Sequence, residues 1–326
     1  MNRRFRSIGA MALLASCRFV AGVARADDVA VVPGLSGLNP QSLVSVKADG
    51  ERLIVSWPTA DTESARLTLR LVPGRPVVEE LSIADLKGEH RETILKDADP
   101  VVGMSVGSRE QGKNRPPGMS VFNEFFDNPH TRQSTRHDGV FKLATVKVDS
   151  DGSRAGIRLG GLVIGPFSGD WRFTVFAGSR LVKVEAVVKT DRDRVAFLYD
   201  AGIVSKSFEG GRVAWTDTEG RFVAGEATSP DAWKPAAVRH RAIGVEVGGA
   251  SLIVTPPPHQ FFFPRDFTHN VHTVAYGRDA SRRPGLGIRQ DETGGGNFVP
   301  WFTRPRARSN TSRCSSTSPR GPLATG

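Results

Sequence analysis

Cysteine is almost missing from this chain, and the two that occur, Cys17 and Cys314, lie near its two ends. The body between residues 27 and 300 therefore has no disulfide of its own. A body of roughly 270 residues is long enough to be stabilised by its core, as one large or two modest domains.

Several sequence motifs with a definite chemical mechanism are also missing. The chain contains no G-x-S-x-G elbow, no phosphate-binding loop, no H-E-x-x-H and no C-x-x-C pair. The enzyme classes that depend on those motifs are therefore not indicated.

Acidic residues are missing from both ends of the chain. Residues 1–26 and 301–326 hold five arginines each and no Asp or Glu, so the net charge of +10 belongs to the ends. The body balances 34 basic residues against the 34 acidic ones. Because nucleic-acid binding needs clustered positive charge, this distribution disfavours a nucleic-acid partner.

The amino terminus has the order of a secretory signal peptide. Arginines precede an apolar run from Ile8 to Ser16, and Ala24-Arg25-Ala26 forms an A-x-A cleavage site. The sequence around Cys17 also resembles a lipobox, which would place a lipid anchor on Cys17. Both alternatives predict an exported protein that is periplasmic, outer-membrane-associated or extracellular. The apolar run is too short for a transmembrane helix.

Two-residue periodicity dominates the body. Leu67, Leu69 and Leu71 alternate with polar residues, and the same pattern recurs around Trp171 and Val184. Gly- and Pro-containing turns separate these runs at short intervals, with predicted turns at Gly50, Gly74, Gly152, Gly178 and Gly210-Gly211. The pattern predicts an all-β, antiparallel β-sandwich, with 82–87 as the best candidate for a single helical turn.

The polar, Pro- and Gly-rich stretch 107–120 predicts a linker. We expect a smaller β subdomain over residues 27–106 and the main β-sandwich over residues 121–301. Within the latter, WRFTVFAGSRLVKVEAVVKTDRDRVAFLYDAGI (171–203) resembles the galactose-mutarotase-like supersandwiches, which are also found in polysaccharide lyases. This resemblance implies a carbohydrate-associated envelope protein, but no catalytic motif of that family is found here.

Two segments without a clear strand pattern concentrate His, Asp and Arg. In the first, residues 125–139, an Arg fork suits carboxylates, and His beside Asp suits proton transfer or a metal. In the second, residues 256–279, imidazoles and a carboxylate suit a divalent metal, while aromatic rings could stack on sugar faces. The alternatives are a solvated loop and an aromatic plug at the sandwich end. The candidates are catalytic His130, His137 and Asp266, ligand-binding Arg132, Arg136, Phe261, Phe263 and Phe267, and metal-binding His259, His269 and His272.

The last segment, residues 302–326, is rich in Arg, Ser, Thr and Pro. Shifting plausible codons for Ser309–Arg320 by two bases produces a strand-like sequence. This favours out-of-frame translation over an ordinary disordered tail, and the native protein would then continue beyond Gly326.

Three functional hypotheses remain open from the sequence. The first is an exported envelope protein that binds or processes carbohydrate. The second is a metal-dependent hydrolase or lyase that uses the His/Asp residues. The third is a structural or adhesive surface module without catalysis.

Overall fold

The computed structural model describes residues 10–18, 31–108, 134–256, 274–289 and 302–304, apart from residues 75, 86, 89, 194 and 229. Regular structure in this part of the chain consists of strands and one short 3-10 turn, Lys206–Phe208. In chain order the strands are β1 (Ala10–Arg18), β2 (Gly34–Gly37), β3 (Ser45–Asp49), β4 (Arg52–Ala60), β5 (Glu63–Arg70), β6 (Val78–Asp85), β7 (Arg91–Ser108), β8 (Ser134–Asp138), β9 (Val140–Ser150), β10 (Arg154–Ile164), β11 (Phe167–Phe176), β12 (Val182–Lys189), β13 (Val195–Ser205), β14 (Arg212–Thr216), β15 (Phe222–Glu226), β16 (Lys234–Ala236), β17 (Ile243–Val247), β18 (Ala250–Thr255), β19 (Val274–Arg278), β20 (Pro284–Ile288) and β21 (Phe302–Arg304).

These strands form two large sheets. The first sheet has the order β15-β14-β17-β18-β1-β12-β11-β10-β9-β2. The second has the order β16-β19-β20-β13-β7-β6-β5-β4-β3, with β21 paired to β13 and β8 paired to β7. The predicted all-β, antiparallel sandwich is confirmed.

Alternating apolar residues explain why these segments are strands. In β4, Leu53, Val55 and Trp57 are buried while the residues between them are half-buried. Likewise Trp171 and Phe173 of β11 are buried, as the two-residue pattern predicts. β4 and β11 thus present one face to the core between the sheets.

The predicted helical turn at 82–87 is wrong, because β6 extends to Asp85. β6 pairs with β5 on one side and with β7 on the other. With strand partners on both edges, its backbone groups are satisfied by the sheet rather than by a local turn.

One core serves both sheets, since buried residues from β4 to β20 form one continuous apolar cluster. The strands before the predicted linker share a sheet with later ones, because β7 pairs with β13 from Ala98 to Ser108. A further connection joins the sheets: the Trp57 indole N–H donates to the Ser179 carbonyl at 2.8 Å. The linker itself lies outside the described residues from residue 109 onward.

β1 comes from the predicted signal peptide and lies in the middle of the first sheet, parallel to both β12 and β18. Among the described pairs, the β2–β9 pair is also parallel, and all other pairs are antiparallel. Near the other end of the chain, Phe302–Arg304 pairs with β13. Residues 305–326 of the predicted tail lie outside the described residues.

Within the part of the chain that the structure describes, no helix has the length and hydropathy needed to cross a membrane.

Candidate functional site

Of the candidate residues, the structure describes two, Arg136 and His137, both in β8. The segment 125–139 was predicted to lack strand structure, and for Ser134–Asp138 that prediction is wrong because these residues pair with β7. Outside the described residues lie His130, Arg132, His259, Phe261, Phe263, Asp266, Phe267, His269 and His272. Their predicted roles therefore stay predictions.

Arg136 has a partner within the protein. Its Nη1 lies 2.6 Å from Oδ2 of Asp200 on β13. The guanidinium crosses the intervening strand β7 over Gly103, where an added Cβ would come within 2.2 Å of Nη2. This ion pair links β8 to β13 across β7, and a ligand role for Arg136 would have to compete with Asp200.

His137 packs against the turn between β10 and β11. A Cβ added to Gly165 in that turn would lie 2.5 Å from the imidazole ring. β8 belongs to the second sheet and the β10–β11 turn to the first, so His137 contacts both sheets at this end of the sandwich. Among the described residues, no group of three or more His, Cys, Asp or Glu could hold a metal ion.

The most suitable binding surface in the described structure is a groove on the outer face of the first sheet. It crosses β15, β14, β17 and β18 and has a volume of about 490 Å³. We call it the cross-strand groove. It is lined by Arg212, Ala214, Trp215, Thr216, Phe222, Ala224, His240, Ala242, Gly244, Val245, Glu246, Ser251, Leu252 and Ile253.

Strand register forms the floor of this groove. Ala224 of β15 pairs with Ala214 of β14, which pairs with Gly244 of β17. Gly244 in turn pairs with Ile253 of β18. Directly paired residues lie on the same face of a sheet, so Ala224, Ala214 and Gly244 form a row across three strands. Because these residues are small, the row is the low floor of the groove.

The two sides of the floor differ in chemistry. On one side, Arg212 pairs in register with Glu226 on β15 and with Glu246 on β17. On the other side, Phe222 pairs with Thr216. The exposed His240 also lies on this side, since the backbone N–H of Arg239 donates to the Thr216 carbonyl at 2.9 Å.

Phe222 is 76% exposed, and it is the aromatic residue among the large exposed apolar side chains in the described structure. Its strand, β15, is at the edge of the sheet. The other aromatic at the groove, Trp215, is half-buried against Tyr276 with ring centroids 5.3 Å apart. Trp215 therefore faces the core, whereas the exposed ring of Phe222 can contact a ligand.

Charged residues cover the same outer face over β9 to β12. Arg158 Nε lies 3.9 Å from Asp170 Oδ2, and Lys183 Nζ lies 2.8 Å from Glu185 Oε1. Burial raises the pKa of the Asp170 carboxyl, and the positive charges of Arg158, Lys147 and Lys189 offset part of that rise. The two-residue alternation over residues 182–188 predicts that Glu185 is exposed together with Lys183, but Glu185 is 1% exposed, so that prediction is wrong. Two-residue alternation places Glu185 on the outer face but does not say whether that face is covered.

A second depression, beside the β3–β4 turn, is a weaker candidate because its charges are already paired. Glu79 accepts from Arg52 at 2.8 Å and lies 3.3 Å from Arg70. Because these groups are held by one another, they are less available to a ligand.

The groove residues carry no motif in the sequence that predicts a site. A weak signal existed in RFVAGE, residues 221–226, where apolar residues occupy both faces of a short strand. Both faces of such a strand are either buried or available to a partner. The pattern could not show that Ala214, Ala224 and Gly244 lie side by side.

Comparison with known proteins finds no family model that matches the chain and no curated protein with significant similarity to it.

Proposed function

We propose that this protein is an exported cell-envelope protein that binds carbohydrate in the cross-strand groove. The observation that carries the proposal is the exposed Phe222 ring beside a floor of small side chains. Pyranose rings present faces of C–H groups that pack on aromatic rings, so such a ring is suited to sugar stacking.

Polar groups on both sides of the floor can form hydrogen bonds with sugar hydroxyls. Arg212, Glu226 and Glu246 supply donors and acceptors on one side, and His240 with Thr216 does so on the other. A few polar groups at the edges of a mostly apolar surface are the usual means of fixing a ligand's orientation. The groove is open along the sheet, which suits a chain of sugars better than a single enclosed molecule.

Export is supported by the order of charged, apolar and small residues over 1–26. The mature protein is expected to begin at Asp27, or at Cys17 if that residue carries a lipid. The measurement is the mass and amino-terminal sequence of the exported product. An exported, folded protein that retained Met1 would contradict this part of the proposal.

The binding proposal is tested with a glycan array followed by titration calorimetry on the best glycan. Phe222→Ala should weaken binding about tenfold, which corresponds to about 1.4 kcal/mol. Val140→Ala is the matched control, because Val140 is 67% exposed on β9 of the same sheet but lies outside the groove. Equal affinities for the wild type and both variants, or no glycan bound at all, would contradict the proposal.

A further inference from the structure

One side of the cross-strand groove is a row of charged residues that strand register places next to one another. Glu226 of β15 pairs with Arg212 of β14, and Arg212 pairs with Glu246 of β17. Each of the three lies two positions along its strand from a floor residue, and therefore on the same outer face of the sheet. All three are exposed. We call this row the acidic wall.

The acidic wall attracts cations more than the opposite side of the groove does. Its single guanidinium, that of Arg212, offsets only one of the two carboxylates, so one negative charge remains in the row. The opposite side carries His240, and the guanidinium of the neighbouring Arg239 lies over Gly220 in the turn between β14 and β15, where an added Cβ would be 2.7 Å from its Nη1. A ligand with positive groups along one edge would therefore turn that edge toward the acidic wall.

Strand geometry sets the distance between the two carboxylate positions of the wall. β14 lies between β15 and β17, so Glu226 and Glu246 are two strand spacings apart, which is about 10 Å at the backbone. A linear chain whose successive pyranose rings are turned over presents the same substituent to the same edge at every second ring. Two rings of such a chain have a length close to this distance. The floor runs across the strands, so a chain that lies on it follows the wall.

We propose that the cross-strand groove binds a linear oligosaccharide with free amino groups, and that the ammonium groups of alternate rings face Glu226 and Glu246. This inference rests on the proposed binding of carbohydrate in the groove and names the class of sugar. Arg212 faces the ring between them, whose turned-over edge presents oxygens that accept its N–H groups. Phe222 stacks on a ring at the β15 end of the chain.

The test compares three oligosaccharides of matched length and linkage, made of glucosamine, N-acetylglucosamine or glucuronic acid. Titration calorimetry in mildly acidic buffer at low salt keeps the amines protonated and the glutamates ionised. The glucosamine oligomer should bind about tenfold more tightly than the N-acetylated one, the combined effect of two exposed ion pairs of about threefold each. The glucuronic acid oligomer should bind most weakly, because its carboxylates would face those of the wall.

Substitutions in the wall separate the charge effect from the rest of the binding surface. Glu226→Gln and Glu246→Gln should each reduce the affinity for the glucosamine oligomer about threefold. The double variant should bind the glucosamine and N-acetylated oligomers equally, with the affinity for the latter unchanged. Glu92→Gln is the matched control, because Glu92 is exposed on β7 of the second sheet and its substitution removes the same charge. It should keep the full preference for amino groups.

Salt and the aromatic variant provide two further readouts. Raising the salt concentration should reduce the preference for the glucosamine oligomer, because exposed charges are screened. Phe222→Ala should weaken binding of the glucosamine and N-acetylated oligomers by the same factor, since stacking does not depend on the amino group.

Three results would overturn the inference: equal affinities of the wild type for the glucosamine and N-acetylated oligomers, tighter binding of the glucuronic acid oligomer, or a double variant that keeps its preference. If oligosaccharides bind in a manner that depends on Phe222 but without this preference, the proposed function stands and the inference fails. If no oligosaccharide binds, both fail.

Discussion

At the scale of single residues, Asp170 is a carboxyl that the fold makes harder to ionise. Burial on β11 raises its pKa above the ordinary value of 3.8, despite the cations around it. The folded state therefore binds this proton more tightly than the unfolded chain does, and stability falls as pH rises through the folded-state pKa. Replacing this carboxyl with a neutral group should therefore favour folding stability more at neutral pH than in acid.

We expect the stability of Asp170→Asn, relative to the wild type, to improve as pH increases from about 4 to about 7. Urea unfolding at several pH values measures this difference. A difference that stayed constant or declined with pH would contradict the assignment.

Glu209→Gln provides a control of opposite sign. A hydrogen bond from Arg278 lowers the pKa of Glu209 below its ordinary value of 4.5, against a smaller opposing effect of burial. The carboxylate thus contributes stability above that pH, and the contribution is lost as pH falls through the folded-state pKa. The relative stability of Glu209→Gln should decline as pH rises over the same range.

At the scale of elements, β10 depends on an irregularity at Gly161. The register of β10 shifts between Gly160 and Leu162 against both β9 and β11. Gly161 has φ of 116°, and an added Cβ would lie 1.9 Å from the Lys142 carbonyl oxygen of β9. Only glycine satisfies both conditions.

Gly161→Ala should therefore lower the free energy of unfolding by about 3 kcal/mol, from backbone strain and overpacking together. Gly178→Ala is the matched control, since Gly178 has φ of 78° but no atom within 4 Å of an added Cβ. Its cost should be about 1 kcal/mol, from strain alone. Denaturant unfolding compares the two, and equal losses would show that the close approach at Gly161 does not matter.

At the scale of the whole molecule, the two sheets share one core, so a severe defect in one sheet should affect both. Val184 of β12 is 3% exposed. Val184→Asp would bury an unpaired charge at a cost of several kcal/mol, comparable with the total stability of about 5 to 15 kcal/mol of a typical protein. We expect this variant to fail to fold, as measured by soluble yield and circular dichroism.

Val140→Asp is the control for that prediction, because Val140 is exposed on a strand of the same sheet. It should remain soluble with stability within about 0.5 kcal/mol of the wild type. If Val184→Asp were soluble with an unchanged melting curve, the shared core would not be organised as described.

The fold class and many core residues follow from local patterns in the sequence. Alternation around Leu67, Trp171 and Val184 was enough to predict strands with these residues buried, because the two-residue period of a strand is a local property of the backbone. The turns at Gly50, Gly74, Gly152 and Gly178 could also be predicted from the sequence, and each of these glycines has a positive φ in the structure. Local geometry and local composition therefore account for what could be predicted.

Which strands are neighbours does not follow from local patterns, and the candidate site depends on strand pairing. Ala214, Ala224 and Gly244 are unremarkable in the sequence, and they form a groove floor because the pairing of β15, β14 and β17 brings them into one row. The same reason explains the failures at 82–87 and Glu185. The strands that hydrogen-bond to a segment, and the residues that bury its outer face, are distant from it in the chain. A pattern within one segment contains no information about them.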